Sequence, residues 1–522
     1  MPKWLDDAVF YEIYPQSFLD TNGDGIGDFE GIIQKLGYIK DLGCNALWLN
    51  PCFDSPFMDA GYDVRNYKKT APRYGTNDDL KRLFAEAHKR GIRVLLDLVP
   101  GHTSEEHEWF RQSQKAKPNE YWNRYVWTDQ WWKGAKGFGY VAGVAERSSC
   151  YVINFFKCQP ALNYGFLNVK EPWQLPVDHS DCIATREAMK EVMRFWLDAG
   201  CDGFRVDMAG SLVKNDDAQQ SGTAAIWRNV REMLDAEYPE AAMVAEWSRP
   251  EVSLKAGFHM DFLLSSENPG YQSLLRDYTL TQMNEVSGED HSFFKKDGNG
   301  DITRFLSDYL PLYADGAKNG GHIALITCNH DTVRPRYTLS PQELALAYAV
   351  IFTLPGTPFL YYGDEIGMRY LNLPTKEGGY FRTGSRTPMQ WNSGKNLGFS
   401  TVDASMLYLP VDTSANAPTV EEAEKDSASL LNTIKALLKL RHAEGDLQSK
   451  ANFEILYAEK DKVPFVYKRG HFVLAVNPSG TAATAAVNSI QGAGKEVFAI
   501  GAVTLGNGEC RLQAQSFGIW RM

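Results

Sequence analysis

Three carboxylates, those of Asp207, Glu246 and Asp331, each follow a short apolar run of the kind that forms a buried strand. In a parallel barrel the carboxyl ends of the strands meet on one face, and active sites form there. Two carboxyl groups that flank a glycosidic bond can cleave it, one as nucleophile or base and the other as proton donor. The types and positions of these residues therefore predict a sugar-processing site.

The neighbours of the first two carboxylates favour different roles for them. Arg205 lies two residues before Asp207, so both side chains point to the same side of the strand. The cation would keep Asp207 ionised, as a nucleophile requires. Glu246 lies between Ala245 and Trp247, an apolar setting that favours the protonated form of a general acid. A structural salt bridge is the alternative for each acid taken alone, but it is a poor account of three acids on separate strands.

The elements that would position these acids are apolar runs that alternate with amphipathic, helix-like stretches as far as about residue 445. The runs cover residues 9–14, 46–50, 94–99, 203–207, 243–246, 262–264, 323–328 and 358–362. Strand-like runs that alternate with helical stretches are typical of parallel sheets and barrels. The pattern therefore predicts an α/β fold, a (β/α)8 TIM barrel.

Two further domains are predicted from departures from this pattern. The interval between Asp97 and Asp207 is much longer than the roughly 30 residues of one barrel unit. It is rich in Trp, Tyr, Gly and Asn and lacks helical periodicity, so we assign residues 103–172 to an inserted domain B. The barrel would then comprise residues 1–102 and 173–446, with a second insertion at about 366–427. Short alternating runs over 447–522 predict a C-terminal antiparallel β-sandwich.

The composition favours a cytoplasmic protein that acts on a small neutral molecule. The chain has 522 residues, a net charge of −11 and no basic cluster, which argues against a nucleic-acid partner. Its start lacks the segments of a secretory signal, and no run approaches the ~20 apolar residues that cross a membrane. Eight scattered cysteines are typical of reduced, cytoplasmic thiols. The three acids, rather than the composition, make an oligosaccharide or disaccharide the expected partner. For the assembly we expect a monomer or small homo-oligomer.

Four motifs resemble, in order and spacing, the conserved regions of the α-amylase family of glycoside hydrolases (family 13). They are Asp97-Leu98-Val99-Pro100-Gly101-His102, Gly203-Phe204-Arg205-Val206-Asp207, Ala245-Glu246-Trp247 and Asn329-His330-Asp331. Residues 159–163 are similar to the family's fifth region. The resemblance spans about residues 8 to 445 and implies Asp207 as nucleophile, Glu246 as acid and base, and Asp331 as the third acid, which binds and distorts the sugar. It also implies sugar contacts from His102, Arg205 and His330.

Other motifs resemble the exo-acting α-glucosidase branch of that family, which includes oligo-1,6-glucosidases. Residues 210–211 are Gly-Ser, where endo-acting members carry Lys-His. Two segments look like motifs of the exo branch, Gly61-Tyr62-Asp63 and Ser385-Arg386-Thr387-Pro388-Met389-Gln390-Trp391. The resemblance implies that Asp63 and Arg386 grip the terminal glucose and close the pocket behind it. The aromatic ring of Tyr62 is expected to stack on the sugar ring. A structural ion pair between loops is the alternative for Asp63 and Arg386.

The loop of residues 20–28 carries oxygen-bearing side chains at alternate positions, with glycines between them. This is the arrangement of calcium-binding loops, although Gly31 stands where an EF-hand has a bidentate Glu. The loop resembles the structural calcium loop of the oligo-1,6-glucosidase group. That resemblance implies one Ca²⁺, or Mg²⁺ in its place, bound by the side chains of Asp20, Asn22, Asp24 and Asp28 and the carbonyl of Ile26. A metal-free polar turn is the alternative.

These features together predict a retaining, exo-acting α-glucosidase that hydrolyses short α-glucosides from the non-reducing end by double displacement. The same residues would serve an α-glucosyl transferase or isomerase, such as a trehalose synthase or a sucrose-active enzyme. A barrel kept only as a binding subunit is a third possibility, and the complete acid set argues against it. The preferred linkage stays open, because Met208 after the nucleophile matches neither the Val of 1,6-specific relatives nor the Ala or Thr of 1,4-specific ones.

Overall fold

Eight parallel strands close into a barrel in the computed structural model, which describes residues 1–264, 268–281, 283, 285–378 and 382–522. Each strand pairs with its neighbours in chain order, and the eighth pairs with the first. In chain order they are Phe10–Ile13, Ala46–Leu49, Arg93–Leu98, Gly203–Val206, Ala242–Ala245, Met260–Phe262, His322–Ile326 and Thr357–Tyr361. The predicted (β/α)8 barrel is confirmed.

The sixth barrel strand, Met260–Phe262, lies two residues earlier than the predicted run 262–264. Asp261 interrupts the apolar run there and hides the strand from a search for continuous apolar residues. The residue is nevertheless fully buried. Its carboxylate accepts hydrogen bonds from the backbone of the loop after the fifth strand, which replace the lost contacts with water.

Aromatic side chains fill the barrel interior below the carboxyl ends of the strands. The rings of Phe10 and Phe359 stack with centroids 4.2 Å apart, and Phe262 meets Phe359 edge-on at 5.0 Å. Trp48 packs on Phe262 and donates from its Nε1 to Asp97 Oδ2 at 3.0 Å. Because Asp97 belongs to the third strand, the apolar interior is tied directly to the polar groups at the mouth of the barrel.

The longer helices surround the barrel. In the first of them, Asp28 accepts a bond from Gly31 N at the start, and Gly43 ends the helix with a φ of 102° that favours glycine. The longer helices are Phe29–Leu42, Asn77–Lys89, Ser180–Ala199, Ser221–Glu237, Ile302–Asn319, Pro341–Ile351 and Leu430–Ala443. Shorter ones are Glu108–Ser113, Pro250–Ser253, Pro269–Leu275 and Val420–Lys425. Single 3₁₀ turns lie at Lys3–Asp6, Pro15–Ser17, Ala209–Ser211, Pro335–Tyr337, Asp364–Ile366, Thr383–Ser385, Lys395–Gly398, Ala404–Met406 and Gly445–Leu447.

The segment between the third and fourth barrel strands has a small core of its own. That core contains Val126, Ala135, Val152, Ala161 and Phe166. Two-residue strands at Tyr140–Val141 and Tyr151–Val152 pair beside it, and another short pair, Phe53–Asp54 with Asn66–Thr70, follows the second barrel strand. A β-bridge between His102 and Ala161 joins the segment to the barrel mouth. The segment therefore lies over the face on which the predicted acids converge.

The C-terminal region forms two antiparallel sheets, which confirms the predicted architecture there. The five-stranded sheet contains, in spatial order, Phe453–Tyr457, Phe465–Arg469, Phe472–Asn477, Ser516–Arg521 and Lys495–Ile500. The three-stranded sheet contains Ala483–Ala486, Glu509–Leu512 and Val503–Gly506. A separate two-stranded sheet within the barrel region pairs Thr279–Leu280 with Val286–Ser287. Residues from both C-terminal sheets, Val473 and Cys510 among them, share an apolar core.

All eight cysteines are buried free thiols. None of the helices in the described part of the chain combines the length and the apolar character that crossing a bilayer requires.

Candidate active site

A pocket opens at the carboxyl ends of the barrel strands, where the three acids are predicted to meet. Its cavity volume is ≈ 170 Å³, which is less than the ~300–1,000 Å³ of common ligand sites and suits one sugar ring. It is lined by Asp59, Tyr62, His102, Phe155, Asp207, Met208, Glu246, Asp331 and Arg382. Asp207 and Glu246 directly follow the fourth and fifth strands, and Asp331 lies in the loop after the seventh. The three predicted acids therefore share one pocket.

One guanidinium group holds two of these carboxylates. Arg205 NH1 lies 3.1 Å from Asp207 Oδ1, and Arg205 NH2 lies 2.8 Å from Glu246 Oε2. NH1 also donates to Asp97 Oδ1 at 2.8 Å. Arg205 is 1% exposed, so bulk water does not compete for these charge-assisted bonds. Asp207 and Glu246 are consequently held on neighbouring nitrogens of one rigid plane.

The charge state of Asp207 differs from the expectation drawn from its neighbour Arg205. Burial and the negative charge of Glu246 raise the pKa of Asp207 well above its ordinary value, and Arg205 offsets them only in part. One cation is shared among Asp207, Glu246 and Asp97. The expectation that Arg205 holds Asp207 ionised is therefore wrong. Glu246, predicted between two apolar neighbours, has those neighbours buried beside it but also has Arg205 NH2 2.8 Å from its Oε2.

The shared cation makes the two carboxylates behave as a pair. Burial and the nearby like charge of Glu246 favour the protonated form of Asp207. One proton between two carboxyls is what a nucleophile and a general acid need. The charge state of Asp207 therefore depends on burial, Glu246 and Arg205 together, whereas the sequence suggested that Arg205 sets it.

The third acid, Asp331, is held ionised by three cationic groups. Arg382 and Arg386 both donate to Asp331 Oδ1 at 2.8 Å, and His330 Nε2 lies 3.2 Å from Oδ2. Burial alone would raise the pKa of Asp331, but these cations bring it well below the ordinary value. On the other side, His330 Nδ1 lies 2.9 Å from Glu12 Oε1. Burial opposes protonation of His330, yet Asp331 and Glu12 raise its pKa to about 9.

His330 should make the stability of the protein depend on pH. Its folded pKa of about 9 exceeds the ordinary ~6.5, so its contribution is complete below about pH 6.5 and is lost as pH rises through about 9. We expect His330→Gln to destabilise the fold by up to about 3 kcal/mol more at about pH 6 than at about pH 9.5, measured by urea denaturation. His471→Gln, at an exposed histidine, should show no such difference. Equal destabilisation by His330→Gln at both pH values would contradict the assigned charge.

An ion pair closes one side of the pocket, but it is not the predicted pair. Arg382 NH2 lies 2.7 Å from Asp59 Oδ1, and both residues line the pocket. Arg382 NH1 connects this pair to Asp331. Asp63 and Arg386, in contrast, form no ion pair with each other in the described part of the chain. The prediction that Asp63 and Arg386 close the pocket is wrong, and Asp59 and Arg382 occupy that place.

Asp63 instead shapes the turn that carries Asp59. Its carboxylate accepts bonds from Ser55 Oγ at 2.9 Å, from Met58 N at 2.9 Å and from Asp59 N at 3.0 Å. Burial raises the pKa of Asp63 to about 6, and these donors oppose the rise. Asp63 therefore supports the pocket indirectly, by holding the turn that carries Asp59. Arg386 supports it by its bond to Asp331.

Tyr62 and His102, which are predicted to contact a sugar, line the pocket. The ring of Tyr62 packs nearly parallel to that of His330, with centroids 5.3 Å apart, and its hydroxyl donates to Asp97 Oδ2 at 3.1 Å. Burial lowers the pKa of His102 to about 3, so its imidazole is neutral. Asn154 Nδ2 lies 3.2 Å from His102 Nδ1, and His102 Nε2 lies 3.2 Å from Tyr62 O. A neutral imidazole can exchange hydrogen bonds with sugar hydroxyls.

The structure leaves no room for a side chain at Gly210, the position where the sequence analysis notes Gly in place of Lys. A Cβ at this position would lie 2.5 Å from Trp247 Nε1 and 3.0 Å from Gln220 Nε2. Trp247 Nε1 donates to Gln220 Oε1 at 2.6 Å, so neither group is free to withdraw. A lysine at position 210 would displace this contact beside the catalytic pocket.

Several residues of the site were missed by sequence reasoning. Glu12 lies inside the first apolar run, and a charged residue in a buried strand is a usable signal. Asp59 lies only three residues before Tyr62, close to the motif Gly61-Tyr62-Asp63. Phe155 and Arg382 lie in irregular segments whose sequence gives no indication of which loop they will meet.

The predicted calcium ligands lie together in one loop whose backbone they also bind. Asn22 Oδ1 accepts from Asp24 N, and Asp24 Oδ1 accepts from Ile26 N, both at 2.9 Å. The carboxylates of Asp20 and Asp28 likewise accept from backbone N–H groups. All the predicted metal-ligand atoms are oxygens, the type that calcium prefers. Within the described residues no three acidic, His or Cys side chains are grouped as a metal cluster, so these carboxylates would have to draw closer on binding an ion.

A closed barrel with three acids at its mouth and a sheet domain after it is the architecture of α-amylase-type glycosidases. The family model described as "Alpha amylase, catalytic domain" matches residues 12–450. The chain belongs to the α-amylase family (glycoside hydrolase family 13), which contains glucosidases and transglucosidases.

Relatives within the family are named for more than one activity. The chain is 33% identical over 474 residues to the trehalose synthase/amylase TreS of Mycolicibacterium smegmatis, covering 84% of this chain and 76% of that protein. It is 31% identical over 549 residues to the oligo-1,6-glucosidase of Heyndrickxia coagulans, covering 90% of each. The crystal structure of the trehalulose synthase MutB from Pseudomonas mesoacidophila MX-45 aligns over 100% of both chains with a TM-score of 0.81 at 24% identity. That last likeness shows the fold.

Proposed function

We propose that the protein is a retaining, exo-acting α-glucosidase that hydrolyses short α-glucosides from the non-reducing end. The observation that carries the proposal is a small pocket in which Arg205 holds Asp207 and Glu246 side by side. The ion pair of Asp59 and Arg382 at the pocket wall supports exo action, because a blocked end admits a sugar chain only by its terminus.

The two carboxyls of the pair would carry out a double displacement. The Asp207 carboxylate attacks the anomeric carbon while the Glu246 carboxyl protonates the departing glycosidic oxygen, which leaves a glucosyl ester on Asp207. Glu246, now ionised, takes a proton from a water molecule that attacks the same carbon, and this step releases glucose and restores both groups. The positions of Asp207 and Glu246 in motifs that resemble the conserved regions of the family support this division of roles.

The other lining residues would bind and distort the glucose. Asp331, held ionised by its cationic neighbours, can accept bonds from two sugar hydroxyls, and such bonds help to distort the ring. Tyr62 offers an aromatic face to the ring, and the neutral His102 offers a further hydrogen bond.

The stereochemistry of hydrolysis tests this proposal directly. Early in the hydrolysis of p-nitrophenyl α-glucoside, whose leaving group, unlike that of maltose or isomaltose, has no anomeric carbon, proton NMR should detect α-glucose before mutarotation. Release of β-glucose first would contradict double displacement. A panel that adds kojibiose, nigerose, trehalose and sucrose would establish the linkage.

An isomerase of the trehalose synthase type is the second candidate. The 33% identity to a trehalose synthase/amylase supports it, and it needs the same glucosyl ester on Asp207. The activities differ in whether water or a sugar takes up the glucosyl group. Free glucose as the sole product from maltose would favour the hydrolase, whereas trehalose or longer sugars would favour transfer.

Loss of the pocket-closing ion pair should weaken the binding of short substrates. Arg382→Ala removes the partner of Asp59 and one support of Asp331, so we expect kcat/KM for maltose to fall about 10- to 100-fold. Steady-state kinetics measure the loss. As a matched control, Arg65→Ala removes an arginine that pairs with Asp54 outside the pocket, and it should leave kcat/KM unchanged. An unaltered kcat/KM in Arg382→Ala would remove the ion pair from the proposal.

We also propose that the loop of residues 20–28 binds one Ca²⁺ that stabilises the fold and takes no part in the reaction. Alternating oxygen donors in a tight loop support this. Removal of the ion with EGTA should lower Tm by roughly 2–5 °C, and added Ca²⁺ should restore it. Asp24→Ala, which alters an exposed ligand, should be insensitive to EGTA. A wild-type Tm that is the same with EGTA and with Ca²⁺ would reject the metal.

We also propose a cytoplasmic location for the protein. Eight buried free thiols support a reducing, cytoplasmic environment. A monomer or small homo-oligomer remains our prediction, and size-exclusion chromatography with light scattering would test it.

A further inference from the structure

Asp261 is a fully buried carboxylate that lies outside the pocket and takes no part in the proposed reaction. It occupies the middle of the sixth barrel strand and is paired in register with Ala245, the residue immediately before Glu246. Among the residues that the structure describes, Asp261 forms no ion pair, and burying a carboxylate without a cationic partner is costly, so its position needs a reason. The reason lies in the loop that it binds.

The Asp261 carboxylate binds three consecutive backbone N–H groups that follow Glu246. Oδ1 accepts from Trp247 N and Ser248 N, each at 3.1 Å, and Oδ2 accepts from Arg249 N at 3.0 Å. Oδ2 also accepts from Ser253 Oγ at 2.7 Å. Both oxygens are therefore occupied by the segment that leaves the fifth strand.

The middle residue of this segment has a strained backbone. Ser248 has a φ of 60°, a left-handed conformation that costs a non-glycine residue roughly 1 kcal/mol or more. The bond between Ser248 N and Asp261 Oδ1 holds that conformation. Because the turn begins one residue after Glu246, a change in the turn would move the Glu246 backbone and with it the carboxyl.

We propose that Asp261 is a positioning residue for the general acid, acting through the backbone of residues 247–249 to place Glu246 against the glycosidic oxygen. This inference rests on the proposed function of Glu246. Asp261 itself does not line the pocket.

The test exploits the fact that not every substrate needs a proton donor. Fluoride leaves α-glucosyl fluoride without protonation, whereas the glucose released from maltose requires it. Asp261→Asn replaces one accepting oxygen by an NH₂ group that faces N–H donors, so the turn must shift. We expect single-turnover cleavage of maltose to slow about 10- to 100-fold, while fluoride release in the first turnover stays within about twofold.

A matched control separates positioning from loss of stability. Asp202 is also a buried acid that accepts a backbone bond, from Val94 N at 2.8 Å, but it lies before the fourth strand, at the end of the barrel opposite the pocket. Asp202→Asn should lower Tm and leave the ratio of the two rates unchanged. If Asp261→Asn does not fold, Ser253→Ala removes one of the four bonds and should shift the ratio in the same direction by about threefold.

The outcomes of this experiment are distinct. Slower maltose cleavage with unimpaired fluoride release supports the inference. Equal slowing of both substrates, or of neither, overturns the inference and leaves the proposed function intact. A wild-type protein that cleaves neither substrate overturns both.

Discussion

Replacement of Asp207 by Asn is expected to lower kcat for α-glucoside hydrolysis by about 10⁴-fold or more. The amide preserves the shape of the side chain but cannot form the glucosyl ester. Stability should hardly change, because Arg205 keeps Asp97 and Glu246 as partners. The variant also replaces a carboxyl whose ionisation burial and Glu246 disfavour, so Tm should stay within ~2 °C of the wild-type value or rise slightly.

Steady-state kinetics and thermal denaturation of the same preparation measure both parts of this prediction. Asp178→Asn is the matched control, since Asp178 is an exposed acid outside the pocket and should retain full activity. Mass spectrometry should exclude deamidation of Asn back to Asp. Activity of Asp207→Asn within about tenfold of wild type would refute the nucleophile assignment.

Replacement of Glu246 by Gln should have the second largest effect, and its size should depend on the leaving group. For maltose we expect kcat to fall about 10²- to 10⁴-fold, because no other group is assigned to protonate the departing oxygen. For α-glucosyl fluoride the first step needs no proton, but the second step lacks its base. A burst of about one fluoride per enzyme molecule should therefore precede slow turnover.

Azide distinguishes the roles of the two carboxyls. In Glu246→Ala, azide attacks the glucosyl ester on Asp207 without a base, so activity on α-glucosyl fluoride should recover and yield α-glucosyl azide. In Asp207→Ala, azide attacks the substrate directly and should yield the β-azide. The same anomer from both variants, or the two anomers exchanged, would show that the roles are assigned wrongly.

The barrel and its three acids could be predicted from the sequence because both depend on local patterns. Apolar runs identify buried strands, and residues at the carboxyl ends of parallel strands must share one face. Period-two alternation placed Arg205 beside Asp207, and the structure has them 3.1 Å apart. The same reasoning failed at Asp261, where a charged residue inside a strand is satisfied by a loop from another strand.

Which residues close the pocket was decided only by the tertiary structure. Asp59 and Arg382 are 323 positions apart, and their contact depends on how two irregular loops pack, which no local pattern encodes. Motif resemblance selected Asp63 and Arg386 instead, and both proved to support the pocket from behind.

The charges of the site also depended on tertiary structure. Arg205 looks in sequence like a partner of one carboxylate, but it contacts three. Burial and the charge of Glu246 raise the pKa of Asp207, and Arg205 offsets them only in part. The residue types and the periodicity of the sequence by themselves determined the barrel, the family resemblance and which three acids meet at the barrel mouth. The partners of each charge and the protons they hold were decided by packing, because electrostatic energies depend on distances and burial that only the folded chain establishes.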